Sequence, residues 1–131
     1  MQISIIIPTL NEAKNLPRLI RRIQEEDTGV VREIIVVDAN SKDKTKVIAQ
    51  DLGATVYNSP RRGRAAQMNY GARKAVGDLL YFVHADTIPP ISFKADIQKA
   101  VKDGFSVGCF RYVFDSNHPL LRINAFFTRF P

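Results

Sequence analysis

The run Tyr81-Phe82-Val83-His84-Ala85-Asp86-Thr87 puts a carboxylate just past an apolar stretch, where a metal ion and a diphosphate can meet it. Hard cations such as Mg2+ or Mn2+ take carboxylate, phosphate and water oxygens, which makes Asp86 a candidate metal ligand. A single aspartate is a weak metal signal on its own. His84, two residues earlier, lies on the same side of an extended segment. It can be a ligand, a donor to phosphate, or a polar residue satisfied near a strand end.

Two other clusters carry similar chemistry. Asp38 follows the apolar run 33–37 directly, and a carboxylate there can accept from a ribose hydroxyl or a base N–H. It can equally make an Asx turn or a cap with Ser41. The heptamer Arg61-Arg62-Gly63-Arg64-Ala65-Ala66-Gln67 sets three guanidiniums around a glycine at a predicted helix N-terminus. Free N–H groups, the helix dipole and bidentate arginines favour a phosphate at such a place; the alternative is a solvated basic loop.

The elements that position these groups alternate. Residues 2–7, 33–37, 54–57 and 78–83 read as β-branched or apolar strands, and 105–114 as a further strand at an edge. Leu16, Leu19, Ile20 and Ile23 recur at helical spacing, with Asn15 as N-cap and Pro17 in the first turn, predicting a helix to about residue 27. Residues 47–52, 64–75 and 92–104 complete the helices, with Gly53, Gly77 and Gly104 as stops and Ser92 as a cap. Such βα order implies an α/β fold, a doubly wound and mostly parallel sheet joined by right-handed crossovers. In sheets of this kind ligands bind outside the carboxyl ends of the strands, so the polar clusters after residues 7, 37 and 83 are expected to converge.

At 131 residues the chain has the size of one domain, and 45% hydrophobic with 24% charged residues is an ordinary globular composition. A net charge of +6, from 19 basic and 13 acidic residues, favours anionic partners. Neither Gly-x-Gly-x-x-Gly nor Gly-x-x-x-x-Gly-Lys occurs, which removes dinucleotide dehydrogenases and P-loop enzymes. One cysteine and two histidines make no zinc set. Nucleic acid is not an expected partner, because the aromatic residues sit in runs that read as buried. Cys109, in Val107-Gly108-Cys109-Phe110, is expected to be a buried small hydrophobe. With no secretory signal and no apolar stretch near the roughly 20 residues that span a bilayer, a cytoplasmic location is expected.

Four ordered motifs bring a family into view: Ile5-Ile6-Ile7-Pro8-Thr9-Leu10-Asn11-Glu12, Ile34-Ile35-Val36-Val37-Asp38-Ala39-Asn40-Ser41-Lys42-Asp43-Lys44-Thr45, Arg62-Gly63-Arg64-Ala65-Ala66-Gln67-Met68-Asn69-Tyr70-Gly71 and Phe82-Val83-His84-Ala85-Asp86-Thr87. Together they resemble the family-two inverting glycosyltransferases of GT-A fold, in the small bacterial branch with His-Ala-Asp at the last motif. The resemblance implies a nucleoside-diphosphate sugar of UDP or GDP type as donor and a divalent cation, Mg2+ or Mn2+, as cofactor. Pro8, Thr9, Asn11, Glu12 and Gln67 would belong to the nucleotide site, with Asp38 at base or ribose and Arg61 and Arg64 near the diphosphate. Asp86 matches the metal-holding aspartate of the family's Asp-x-Asp motif, and His84 stands where the first aspartate would be.

Family members take their general base from a later carboxylate, which matches no residue here, so the base and the acceptor-binding half are expected beyond Pro131. The apolar segment 120–130, flanked by Arg122 and Arg129, points to self-association or to peripheral contact with the inner face of a membrane, and with it to a lipid-linked acceptor. A nucleotidyltransferase of related architecture would need a glycine-rich loop after its first strand, and residues 8–14 contain no glycine. A non-catalytic nucleotide-binding module is the remaining alternative.

Overall fold

A computed structural model of the protein describes residues 1–25 and 28–111. Residues Met1–Ala95 form one compact unit and a second begins at Asp96. The sequence predicts one domain, and the two units are described in turn.

The first unit is built on β1 (Ile3–Thr9), α1 (Leu16–Gln24), β2 (Val31–Asp38), α2 (Thr45–Asp51), β3 (Thr55–Asn58), α3 (Arg64–Lys74) and β4 (Leu79–Phe82). All strand pairs are parallel, in the order β3-β2-β1-β4. The chain therefore steps outward from β1 to β3, then returns through α3 to the other side of β1. The reversal makes a switch point between β1 and β4, the place where such sheets open a crevice at their carboxyl ends. Register aligns Thr9 with Asp38 at that end of the β1–β2 pair, and Asp38 with Asn58 on β3.

Burial explains why these segments are strands. Every residue of β1 is buried, as expected for a central parallel strand covered on both faces. Ile6, Ile35 and Val37 form one cluster, packed with Tyr57, Tyr70, Ala72 and Ala75. Gly71 lets α3 lie close to it, since a Cβ there would come within 2.6 Å of Ile6 Cγ2 and 3.0 Å of Val37 Cγ2. Alternation sends Ile5, Ile7 and Val36 to the opposite face, the side that right-handed crossovers give to α1 and α2. Leu16, Leu19, Ile20 and Ile23 of α1 are all buried. Phe93 is buried as well and stacks on Tyr81 with ring centroids 5.5 Å apart.

Several sequence expectations are corrected. Helix α1 stops at Gln24, because Glu25 turns to extended backbone (φ −57°, ψ 137°), and its carbonyl accepts from Lys94 Nζ at 2.7 Å. Asn15 makes no capping bond; it is itself helical and its Nδ2 donates to Glu12 Oε2 at 3.0 Å. Gly77 does not close α3, which ends at Lys74 with Ala75 extended. Its role is close approach, since a Cβ would sit 2.7 Å from the Ser4 backbone nitrogen.

In the second unit, α4 (Phe93–Lys102), which starts in the first, runs on to a Lys99–Asp103 ion pair of 2.7 Å and a left-handed Gly104 (φ +91°). Residues 105–111 form no strand, although 105–114 reads as one. Apolar residues alone do not make a strand without a ladder to satisfy the backbone, and the sheet of the described residues, β3-β2-β1-β4, does not include this segment. Phe105 and Val107 are exposed, and so is Cys109, contrary to its predicted burial. The apolar segment 120–130 lies outside the described residues. No helix among the described residues is long and apolar enough to cross a membrane.

Candidate functional site

A cavity of about 290 Å3 opens at the carboxyl ends of the strands, lined by Pro8, Thr9, Leu10, Glu12, Ala39, Arg62, Gly63, Arg64, Gln67, His84, Ala85 and Asp86. Ligand pockets run to about 300–1,000 Å3, so this one has room for part of a nucleotide sugar. Its wall is made from four places in the sequence that the fold brings together: the ends of β1 and β2, the start of α3, and the turn beyond β4. The turn is closed by Thr87 N–H donating to the His84 carbonyl at 3.0 Å, which leaves Asp86 exposed at its corner.

Of the predicted site residues, Pro8, Thr9, Glu12, Arg64, Gln67, His84 and Asp86 line this cavity. Asn11, Asp38 and Arg61 do not. Asp38 is fully buried, and its carboxylate is committed to the protein: Thr9 Oγ1 donates to Oδ1 at 2.8 Å, Ser41 Oγ to Oδ1 at 2.5 Å and Ser41 N–H to Oδ2 at 2.8 Å. That is the cap with Ser41, which belongs to the second of the two readings open to this residue. Asn11, left-handed at φ +54°, spends its Oδ1 on Lys42 N–H at 2.8 Å. Arg61 is exposed, its carbonyl accepting from Ser59 Oγ at 2.5 Å, and Arg62 takes its place in the wall.

Gln67 has a second duty. It is buried, and its Nε2 donates to the carbonyls of Thr9 at 2.9 Å and Val37 at 2.8 Å. The bond to Val37 uses a carbonyl at the very end of the β2 ladder, so α3 is tied to both strand ends by one side chain. Leu10, Ala39 and Ala85 are lining residues that the sequence did not mark, whereas Arg62 and Gly63 belong to the heptamer read as favouring a phosphate without being named singly. Arg62 has a visible signal, its place among the three arginines, but neighbouring loop positions cannot be told apart without the backbone. Leu10 and Ala39 are apolar residues inside polar motifs, with no chemistry to betray them.

The loops after β1 and β2 are bound to each other beside the cavity. Asn11, Glu12 and Ala13 donate their N–H groups in turn to Ser41 Oγ at 2.8 Å, Thr45 Oγ1 at 2.9 Å and Asp43 Oδ2 at 3.1 Å. Asp43 also accepts the hydroxyl and the N–H of Thr45. The Thr45 hydroxyl does most to hold the Asp43 carboxyl below its ordinary value; desolvation opposes it, and backbone N–H donors add to the lowering.

Among the described residues no three His, Cys, Asp or Glu side chains come together as a ready metal cage. The arrangement still fits a cation that shares diphosphate oxygens. Mg2+ is commonly held by one or two carboxylates plus substrate phosphates and water, and Asp86 supplies one carboxylate in a cavity that Arg62 and Arg64 also line.

Comparison with known proteins decides the family. The family model described as "Glycosyl transferase family 2" matches residues 4–129. The chain belongs to glycosyl transferase family 2. This family 2 chain is 33% identical over 112 residues to a dolichol-phosphate mannosyltransferase of Pyrococcus furiosus, covering 82% of the chain and 32% of that protein. It is 38% identical over 91 residues to a 4,4'-diaponeurosporenoate glycosyltransferase of Staphylococcus haemolyticus, covering 64% and 24%. The crystal structure of glucosyl-3-phosphoglycerate synthase from Mycobacterium tuberculosis with Mn2+, UDP and glucosyl-3-phosphoglycerate superposes with a TM-score of 0.68 at 27% identity, over 76% of this chain and 39% of that one. That enzyme has also been solved with Mg2+ and UDP. The family 2 chain thus has the GT-A glycosyltransferase fold and spans less than two fifths of the length of each of these relatives.

Proposed function

We propose that this chain is the donor-binding part of a glycosyltransferase that moves a sugar, with inversion, from a nucleoside diphosphate of UDP or GDP type to an acceptor hydroxyl. One observation carries the reading: Asp86 and His84 share a cavity at the switch point with Arg62, Gly63 and Arg64. Cation ligand and diphosphate donors therefore border one space. The relatives solved with UDP and Mn2+ or Mg2+ support it.

In this reading Arg62 and Arg64 donate to the diphosphate oxygens, and their fixed positive charge stabilises the leaving group as the bond to the anomeric carbon breaks. Pro8, Thr9, Leu10 and Ala39 form the wall toward the nucleoside, with Glu12 at its edge. Asp86 would hold the divalent cation, which when bound supplies further charge neutralisation to the diphosphate. Attack on the opposite face of the sugar requires a base that takes the acceptor proton. No described residue is given that role. A cytoplasmic location fits a nucleotide-sugar donor, and a lipid-linked acceptor at the membrane face goes with the segment 120–130.

A nucleotidyltransferase is less well supported, because the N–H groups after β1 that could receive its phosphates are occupied by Ser41, Thr45 and Asp43. A transfer or donor-hydrolysis assay separates an enzyme from a non-catalytic module. Calorimetry with UDP and with GDP, with and without Mn2+, tests the binding reading on the wild type and Asp86→Asn. Binding that needs Mn2+ in the wild type and loses that need in Asp86→Asn is expected. Equal affinity in all conditions removes the cation from Asp86.

A further inference from the structure

The two loops that flank the cavity meet in a run of side-chain-to-backbone bonds that no nucleotide contact explains. Three consecutive N–H groups, those of Asn11, Glu12 and Ala13, are each captured by a different side chain of the β2–α2 loop. Successive N–H groups around a left-handed residue make a concavity that binds anions in other proteins. Here Asn11 is that residue, and the oxygens that fill the place belong to the chain itself.

None of the three capturing side chains lines the cavity, and two of them act together. Thr45 is fully buried and Asp43 is exposed, and neither lines the wall. They form a relay: Glu12 N–H donates to Thr45 Oγ1 at 2.9 Å, and the Thr45 hydroxyl passes its own proton to Asp43 Oδ1. The other Asp43 oxygen accepts from Ala13 at 3.1 Å. Glu12, held between them, is in the cavity wall together with Thr9 and Leu10.

We infer that Asp43 and Thr45 are positioning residues of the nucleotide site, which set its affinity by fixing the β1–α1 loop without touching the ligand. The inference rests on the donor-binding reading above. A loop held in its binding conformation loses little freedom when the nucleotide arrives, whereas a released loop must be ordered at the expense of affinity. The carboxylate makes the clamp stronger than neutral bonds would.

The test compares wild type, Asp43→Ala, Thr45→Val and Thr45→Ser by calorimetry with UDP and with GDP in Mn2+, alongside thermal unfolding and amide exchange at Glu12 and Ala13. Valine keeps the shape of threonine and loses the hydroxyl; serine keeps the hydroxyl and loses the methyl. Asp43→Ala and Thr45→Val are expected to weaken binding by about tenfold and to speed exchange at both amides, with Thr45→Ser staying within about twofold of wild type. Wild-type affinity in Asp43→Ala and Thr45→Val overturns the inference, and so does a loss in Thr45→Ser equal to that in Thr45→Val, which marks a packing role. A wild type that binds neither nucleotide overturns the donor-binding reading and this inference together, whereas binding by the wild type with unaffected variants overturns only the inference.

Discussion

Thr9 Oγ1 donates to Asp38 Oδ1 at 2.8 Å across the last register pair of β1 and β2, and with Ser41 it seals Asp38 away from the cavity. The carboxylate at the strand end is thereby a brace between two loops. Asp38→Asn puts an NH2 group where an acceptor is needed, whichever way the amide turns. A loss of about 1–3 kcal/mol in urea unfolding is expected, with the ratio of UDP to GDP affinity unchanged. A changed ratio at unchanged stability would return Asp38 to the nucleotide.

The arginines divide by position. Arg62 and Arg64 line the cavity and Arg61 does not, so alanine at 62 or 64 is expected to weaken UDP binding about tenfold or more, and alanine at 61 by less than about twofold. Lysine at 64 keeps the charge but loses the planar fork, and should recover only part of the affinity. Titration calorimetry on the four variants checks the order, and equal losses at 61 and 62 contradict it.

The large features of the fold were legible because burial writes them into composition. Ile3, Ile5, Ile6 and Ile7 lie between two helical layers, so β1 reads as an unbroken β-branched run. Leu16, Leu19, Ile20 and Ile23 give α1 the same clarity. Residues 105–111 misled because Phe105, Val107 and Cys109 look like strand residues, while strand formation depends on a partner that local sequence does not name. In the site, residue type located the cavity but could not orient side chains. Asp38 and Arg61 have the right chemistry in the right loops, yet one is turned inward and the other lies outside the wall. Ser41, Asp43 and Thr45 stand in a quoted motif, but their role exists only as bonds to residues about thirty positions away.

Gln67 joins α3 to the ends of both central strands, so its loss should be felt in stability before chemistry. Gln67→Leu preserves bulk and leaves the Val37 carbonyl without this donor, while the Thr9 carbonyl keeps the N–H of Ala39 at 2.9 Å. A destabilisation of about 1–3 kcal/mol is expected by denaturant unfolding. A neutral result means that the ladder bond from Thr9 N–H suffices for the Val37 carbonyl.

Gly71 tests the packing of α3 over the sheet. An alanine there meets Ile6 Cγ2 at 2.6 Å and Val37 Cγ2 at 3.0 Å, both belonging to fully buried side chains. Overpacking of this kind costs about 1–3 kcal/mol, and pushing α3 outward also moves Gln67 and Arg64, which it carries. Gly71→Ala should therefore lower both stability and UDP affinity, measured by unfolding and calorimetry. Loss of stability with intact affinity would separate the helix position from the site.

Asp43 makes the loop clamp sensitive to acid. Its carboxyl is held below the ordinary value by the Thr45 hydroxyl and by N–H donors, so the folded state keeps the charge at pH values where the unfolded chain has begun to take up a proton. The sign follows: this contribution to stability is complete above the unfolded pKa of about 4 and is lost as pH falls through the lower folded value. The side chain is exposed, so water and salt weaken the effect, and a small change is expected. Unfolding of the wild type and Asp43→Asn from about pH 6 to about pH 3 should show the wild-type advantage shrinking as the solution becomes more acid. The protection of the Glu12 and Ala13 amides, taken relative to their intrinsic exchange rate at each pH, should fall over the same range in the wild type alone. A stability difference that stays constant with pH would mean that the clamp is held by geometry rather than by the charge on Asp43.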